Sequence, residues 1–111
     1  MGERSRVVPR RLATEDLRAA AAHYATAADV ATARRFIEAV EQAFTAIARQ
    51  PGIGSPRYAV DLDWPGLRAH PLRRFPHLIF YLEQTDHLDV LRVLHAHRDI
   101  TASLQDTATD A

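Results

Sequence analysis

The sequence predicts an α+β domain of two layers: an N-terminal strand, a helical hairpin packed on a small antiparallel sheet, and a short C-terminal helix. Three observations point there. Leu78 to Leu82 and Leu88 to Leu94 are almost unbroken apolar runs, separated by the turn-forming Gln84-Thr85-Asp86-His87, which reads as a hairpin of two long strands. Residues 15 to 50 carry apolar side chains at helical rather than alternating spacing, in two stretches. Proline and glycine cluster at 51–56 and 65–66, where the helical pattern stops and strand patterns begin.

In chain order, residues 1 to 5 are expected to be a disordered lead. Arg6-Val7-Val8-Pro9-Arg10 reads as an edge strand, because Pro9 lacks the donor that a central strand needs. A first helix is predicted over Glu15–Ala27, capped by Thr14, with Glu15 and Asp16 in the first turn where carboxylates suit the positive helix end. Asp29 caps a second helix, Val30–Gln50, whose stripe is Ala33, Phe36, Ile37, Val40, Phe44, Ile47 and Ala48. Phe36, Val40, Phe44, Phe80 and Val93 are expected to form the core shared by that helix and the sheet. Pro51 to Arg57 reads as a rigid loop. It has no Lys-Ser/Thr, so it is not a phosphate cradle.

Leu67 to Leu72 is predicted as a strand with an edge or bulge at Pro71, and Arg73 to His77 as the loop into the hairpin. The apolar runs that follow suit strands covered on both faces or lying mid-sheet. Asp99 caps a last helix, Ile100–Leu104, and Gln105–Ala111 reads as a polar tail.

At 111 residues the chain is long enough for one domain with a real core, ordered over about 6–104. It has no cysteine, which excludes disulfides and thiolate metal sites. No apolar run reaches membrane-spanning length, and MGERSRVVPRR has no signal core, so a cytoplasmic protein is the expectation. Fourteen basic residues, all arginine, balance 14 acidic ones to a formal net charge of zero. That excludes non-specific coating of nucleic acid, and no direct sequence-specific nucleic-acid binding is expected.

The candidate working surface is where the second hairpin strand leaves the core, at His95-Ala96-His97-Arg98-Asp99. His95 and His97 share a strand face, but no third ligand stands nearby, so no metal is expected. His95 is expected to hold the strand end against the last helix by hydrogen bonding. His23, His70, His77 and His87 read as surface residues, and Tyr24 and Tyr81 as core with a satisfied hydroxyl. For Arg68 and Arg92, both on strands, ion pairing across the sheet and a functional role stand equal.

Four motifs in order carry a resemblance: Gly54-Ser55-Pro56-Arg57, Gly66-Leu67-Arg68, Ile79-Phe80-Tyr81, and Arg92-Val93-Leu94-His95 with Arg98-Asp99-Ile100. Together, over about residues 6 to 104, they resemble the ParE/RelE toxin superfamily, and its ParE-like branch more closely. The resemblance implies the toxin of a type II toxin–antitoxin pair, acting on DNA gyrase and neutralised by a cognate ParD-like antitoxin that folds on binding.

The RelE-like branch instead cuts mRNA on the ribosome, using strand cations and a C-terminal Tyr or His. Here the corresponding positions hold Leu78 and Leu104, and only Arg98 matches. The resemblance therefore implies a protein-binding poison with no catalytic residues and no cofactor. Arg68, Arg73, Arg74, His95, His97 and Arg98 are its expected partner-binding residues. A ribosome-dependent endoribonuclease using His95, His97, Arg73 and Arg74, and an inactive toxin that only binds its antitoxin, stand as alternatives.

Overall fold

The computed structural model describes residues 5–109. Its elements, in order, are β1 (Arg6–Pro9), α1 (Arg11–Ala27), α2 (Val30–Arg49), α3 (Arg57–Asp61), β2 (Arg68–Pro71), β3 (His77–Glu83), β4 (His87–His95) and α4 (Ile100–Thr109), with a 3-10 turn at Pro51–Ile53. Of the lead expected to be disordered, residues 1–4 lie outside the described residues. Ser5 is tied down, its N–H donating to the Ala48 carbonyl at 3.1 Å. Among the described residues, no helix is long and apolar enough to cross a membrane.

The strands form one sheet in the order β1-β4-β3-β2. The three later strands make the expected antiparallel meander, and both proline-bearing strands are edges. One feature departs from a purely antiparallel sheet: β1 joins β4 in parallel, Val7 opposite Leu88 and Pro9 opposite Val90. The helical hairpin between them carries the chain back across the sheet, as a parallel pairing requires. Arg10 locks this edge. Its N–H donates to Val90 O at 2.9 Å, and its Nε and Nη2 donate to the Asp89 carboxylate at 3.0 and 2.9 Å.

The sheet is covered on both faces, not one. The α1–α2 hairpin packs on one side, where Phe36, Val40, Ala43 and Ile47 meet Ile79, Tyr81, Leu88, Val90 and Val93. On the other side, residues of α3, the turn after it and α4 (Tyr58, Leu62, Trp64, Ile100, Leu104) cover Phe80, Leu91 and Leu94. Side chains alternate along β3, so Phe80 faces this second layer and does not join Phe36 as expected. A bulge at Phe80/Tyr81 pairs Phe80 with Arg92 and Tyr81 with Val90, leaving Leu91 as the extra residue. The phase shift puts Val90 and Val93 on one face although they are an odd number apart.

The second helix is also rotated from its predicted stripe. Ala39 and Ala43 are buried, whereas Ile37 is exposed and Phe44 only half-buried at the margin of the core. Its cap is as expected: the Asp29 carboxylate accepts the Thr32 N–H at 2.7 Å. The first helix starts earlier than predicted. It runs on from β1 at Arg11, Thr14 donates its N–H to Arg10 O instead of capping, and no acidic residue lies in the first turn.

Asp16 is committed to the core, and this explains the difference. Arg92, 6% exposed on the central strand, donates Nε and Nη2 to the two Asp16 oxygens, each at 2.8 Å. Asp16 Oδ2 also accepts Val93 N–H at 3.0 Å. The remaining Arg92 nitrogen donates to Ser103 O at 3.1 Å and Thr107 Oγ1 at 3.3 Å. Hydrogen bonding to Asp16 raises the Arg92 pKa against the opposing effect of burial. The same bonds extend the last helix. Asp99 caps it as expected, accepting Ala102 N–H at 3.0 Å, but helix replaces the predicted polar tail through Thr109. Residues 110–111 lie outside the described residues.

Two stability outcomes follow from this packing. Asp16→Ala strands the buried guanidinium and should cost about 3–5 kcal/mol in urea melts; a loss under about 1 kcal/mol would show that solvent reaches Arg92. Phe36→Ala should cost about 3–5 kcal/mol, whereas Phe44→Ala at the margin should cost only about 1–2 kcal/mol. Equal losses would mean that Phe44 is as deep as Phe36.

Candidate functional site

Arg73, Arg74, His95, His97 and Arg98 lie at one end of the sheet, where β3 begins and β4 stops, but Arg73 and Arg74 line one cleft and His95 and Arg98 another. The 73–76 loop closes when Leu72 N–H donates to His77 O at 3.0 Å, and Ala96 N–H donates to Pro76 O at 2.7 Å, joining the loop to the end of β4. Arg73, Arg74, His97 and Arg98 are exposed and His95 half-buried. His95 does not reach the last helix as expected. Its Nδ1 accepts the His97 N–H at 3.1 Å and its carbonyl accepts the Arg98 N–H at 3.0 Å, so it fixes the turn that precedes the helix.

Arg68 stands apart from this group. Its Nη1 donates to the carbonyls of Gly54 at 2.7 Å and Gly52 at 3.3 Å. Tyr81, fully buried, completes the support of that loop: its hydroxyl donates to Pro51 O at 2.7 Å and accepts Gly54 N–H at 2.9 Å. A Cβ on Gly54 would lie 2.6 Å from the Tyr81 oxygen and 2.9 Å from Arg68 Cβ, so only glycine lets the loop approach. The rigid loop read from Pro51–Arg57 is thus held by a satisfied core tyrosine and by Arg68, although Arg57 itself opens α3.

Between α1 and the sheet end lies a cleft of about 340 Å³ lined by Asp16, His23, Tyr24, His77, Val93, His95 and Arg98, with two α1 alanines. His77 was expected at the surface and is instead 7% exposed. Its ring packs on Phe36 at 5.1 Å, His95 at 5.3 Å and Tyr24 at 6.2 Å between centroids. Phe75 extends this wall, edge-on to Tyr24 at 5.2 Å and Phe36 at 5.4 Å. His77 Nδ1 is buried without a hydrogen-bond partner. Burial, then His95, push its pKa below the ordinary value while Asp16 pulls the other way. The ring is therefore neutral at neutral pH. Its signal was available only in the register, which sets His77 opposite His95.

Among the described residues, no group of three His, Cys, Asp or Glu is placed to hold a metal ion. Leu78 packs into the second core layer, and Leu104 is buried there at 1% exposure. Neither position offers a proton donor, a base or a cation. The site's available chemistry is charge and hydrogen bonding from guanidinium and imidazole groups around an aromatic wall.

A family model described as the ParE toxin of the type II toxin–antitoxin system parDE matches residues 7–100. Among solved structures, one described as the chromosomal ParDE TA system from P. aeruginosa is similar in fold. Its TM-score is 0.70 at 20% sequence identity, over 82% of this chain and 95% of that one. No curated protein sequence matches the chain.

The His77 environment has a pH consequence. Its pKa is lowered in the fold from the ordinary 6.5, so between the two values the unfolded chain binds the proton and the folded one resists it. Stability is full above the ordinary value and falls as pH drops toward the lowered one; His70, also shifted down by burial, acts in the same sense. Urea midpoints at about pH 7.5 and about pH 5.5 should drop less for His77→Phe than for the unaltered chain. Equal drops would show that His77 is not the group being protonated.

Proposed function

The chain belongs to the ParE toxin family of type II toxin–antitoxin systems, and from that premise we propose that it inhibits DNA gyrase by binding and is neutralised by a ParD-like antitoxin. The carrying observation is that two leucines, Leu78 half-buried and Leu104 buried, stand where the resemblance places the catalytic groups of RNA-cutting relatives. A missing charge-stabilising donor costs about 10²–10³ in rate, and a missing acid or base a further ~10²–10⁴. Arg73, Arg74, His95, His97 and Arg98 then act as partner contacts, with Arg98 foremost because its fork suits bidentate carboxylate binding. Arg68 contributes by holding the 51–57 loop.

Capture of an antitoxin segment is supported by the outer face of the hairpin. Val30 and Ile37 lie exposed on α2, and Val8 is exposed on the edge strand β1. An apolar helix face and a sheet edge are two usual ways of taking up a peptide. A wrapping segment should bury more than the ~1,600 Å² of a standard interface.

The test pairs two assays on antitoxin-free protein. Gyrase supercoiling should be inhibited, the inhibition relieved by stoichiometric antitoxin, and Arg98→Ala should weaken it about tenfold. Primer extension on a translated message should show no ribosome-dependent cuts. Cuts abolished by Arg98→Ala or His97→Ala would replace the gyrase reading with the nuclease one.

A further inference from the structure

On the far side of the aromatic wall, a cleft of about 540 Å³ opens between α2 and the 73–76 loop. Arg35, Arg73 and Arg74 line it, over a floor that includes Ala39 and Phe75. Arg35 was not singled out by its sequence position. It donates Nη2 to Thr32 Oγ1 at 3.0 Å, a neutral partner one turn back on its own helix. Among the described residues, no carboxylate forms an ion pair with any of the three guanidiniums. Three cations thus face one cleft whose lining holds a single carboxylate, Glu38, so the local balance is positive and repulsive until an anion arrives.

The backbone points the same way. Arg74 has φ +67°, the left-handed region that favours glycine, and among the described residues its exposed side chain forms no hydrogen bond or ion pair in return. Glycine would hold this conformation without strain, so the arginine side chain adds nothing to the turn itself. The strained turn also sets Arg73 and Arg74 side by side on a loop pinned at both ends by Leu72 N–H to His77 O and Ala96 N–H to Pro76 O.

We propose that this cleft is the docking site for an acidic segment of the antitoxin, whose carboxylates take Arg35, Arg73 and Arg74 while an apolar side chain lies on Ala39 and Phe75. The proposal rests on the antitoxin reading above and narrows it to one surface and one chemistry. A peptide fits better than a nucleic-acid strand. The chain's formal net charge is zero, where a surface for nucleic acid needs a basic excess, and the cleft offers an apolar floor beside its cations. Planar guanidinium forks suit carboxylates two bonds at a time, which a lysine does not reproduce.

The experiment measures antitoxin affinity by fluorescence anisotropy for the unaltered toxin, Arg35→Ala, Arg73→Ala/Arg74→Ala, Arg73→Lys/Arg74→Lys and Arg74→Gly, at low and high salt. A labelled DNA duplex serves as second probe. The double alanine variant should bind the antitoxin about 10- to 100-fold more weakly, the lysine variant should recover only part, and salt should narrow the difference. Arg74→Gly should melt no lower than the unaltered chain yet bind more weakly, which separates docking from folding.

Equal antitoxin affinity across the variants would overturn the cleft assignment while leaving the antitoxin reading intact. No binding by the unaltered toxin would overturn both. Duplex binding lost in the variants with antitoxin affinity unchanged would overturn the proposal in favour of a nucleic-acid surface.

Discussion

The Arg92 guanidinium is buried in the central strand, and most of the architecture can be read as the means of satisfying it. A planar fork with five donors cannot be left dry without partners. Asp16 supplies two acceptors from α1, and Ser103 and Thr107 supply two more from α4. Two consecutive elements, β4 and α4, and the distant α1 are thereby fixed around one side chain. A buried ion pair of this kind gains little net stability over a well-packed apolar core, because desolvation offsets the attraction. What it supplies here is position. The first helix cannot slide along the sheet without leaving Arg92 unpaired, so the cleft between α1 and the end of β4 has a fixed width.

That same pair shows where sequence reasoning stopped. Arg92 on an apolar strand raised the question of a partner, but the partner lies 76 residues away and on a helix, not across the sheet. Local rules instead placed Asp16 in a helix first turn, which is the best use of a carboxylate when only neighbours are considered. Long-range electrostatics overrode the local preference, and the helix start moved with it. Where a device is local, the reading held: Asp29 and Asp99 cap their helices, and Pro9 and Pro71 lie on edges.

The unbroken apolar runs tell a related story. They suit strands covered on both faces or lying mid-sheet, and the structure shows both: β3 and β4 are interior, and α3 and α4 add a second layer to the one expected from the hairpin. Yet a run without polar residues carries no alternation, so it could not say that Phe80 turns away from Phe36. Nor could it reveal the bulge that resets the phase of β4. Chain order was legible from punctuation by proline, glycine and aspartate, but facing was not, because facing is encoded by contrast between neighbours. The fold likeness at a TM-score of 0.70 agrees with the arrangement of the elements.

The end of the sheet where β4 stops suits the binding role proposed above. Catalysis needs donors held rigidly where charge develops and a titrating group poised near the working pH. Here the rigid groups are spent internally: Tyr81 and Arg68 on the 51–57 loop, Arg92 on Asp16, His95 on its own turn. Burial lowers the pKa of His77, one of the three histidines lining the cleft. The unspent cations, Arg73, Arg74 and Arg98, are exposed and long-armed. Ordering such side chains costs entropy that only a large partner surface can offset. A small substrate would gain too little from them, whereas a protein chain laid across the sheet end can engage several at once. The polar groups inside are immobilised and the guanidiniums outside are unengaged, a division of labour that leaves the exposed cations available for the partner contacts proposed above.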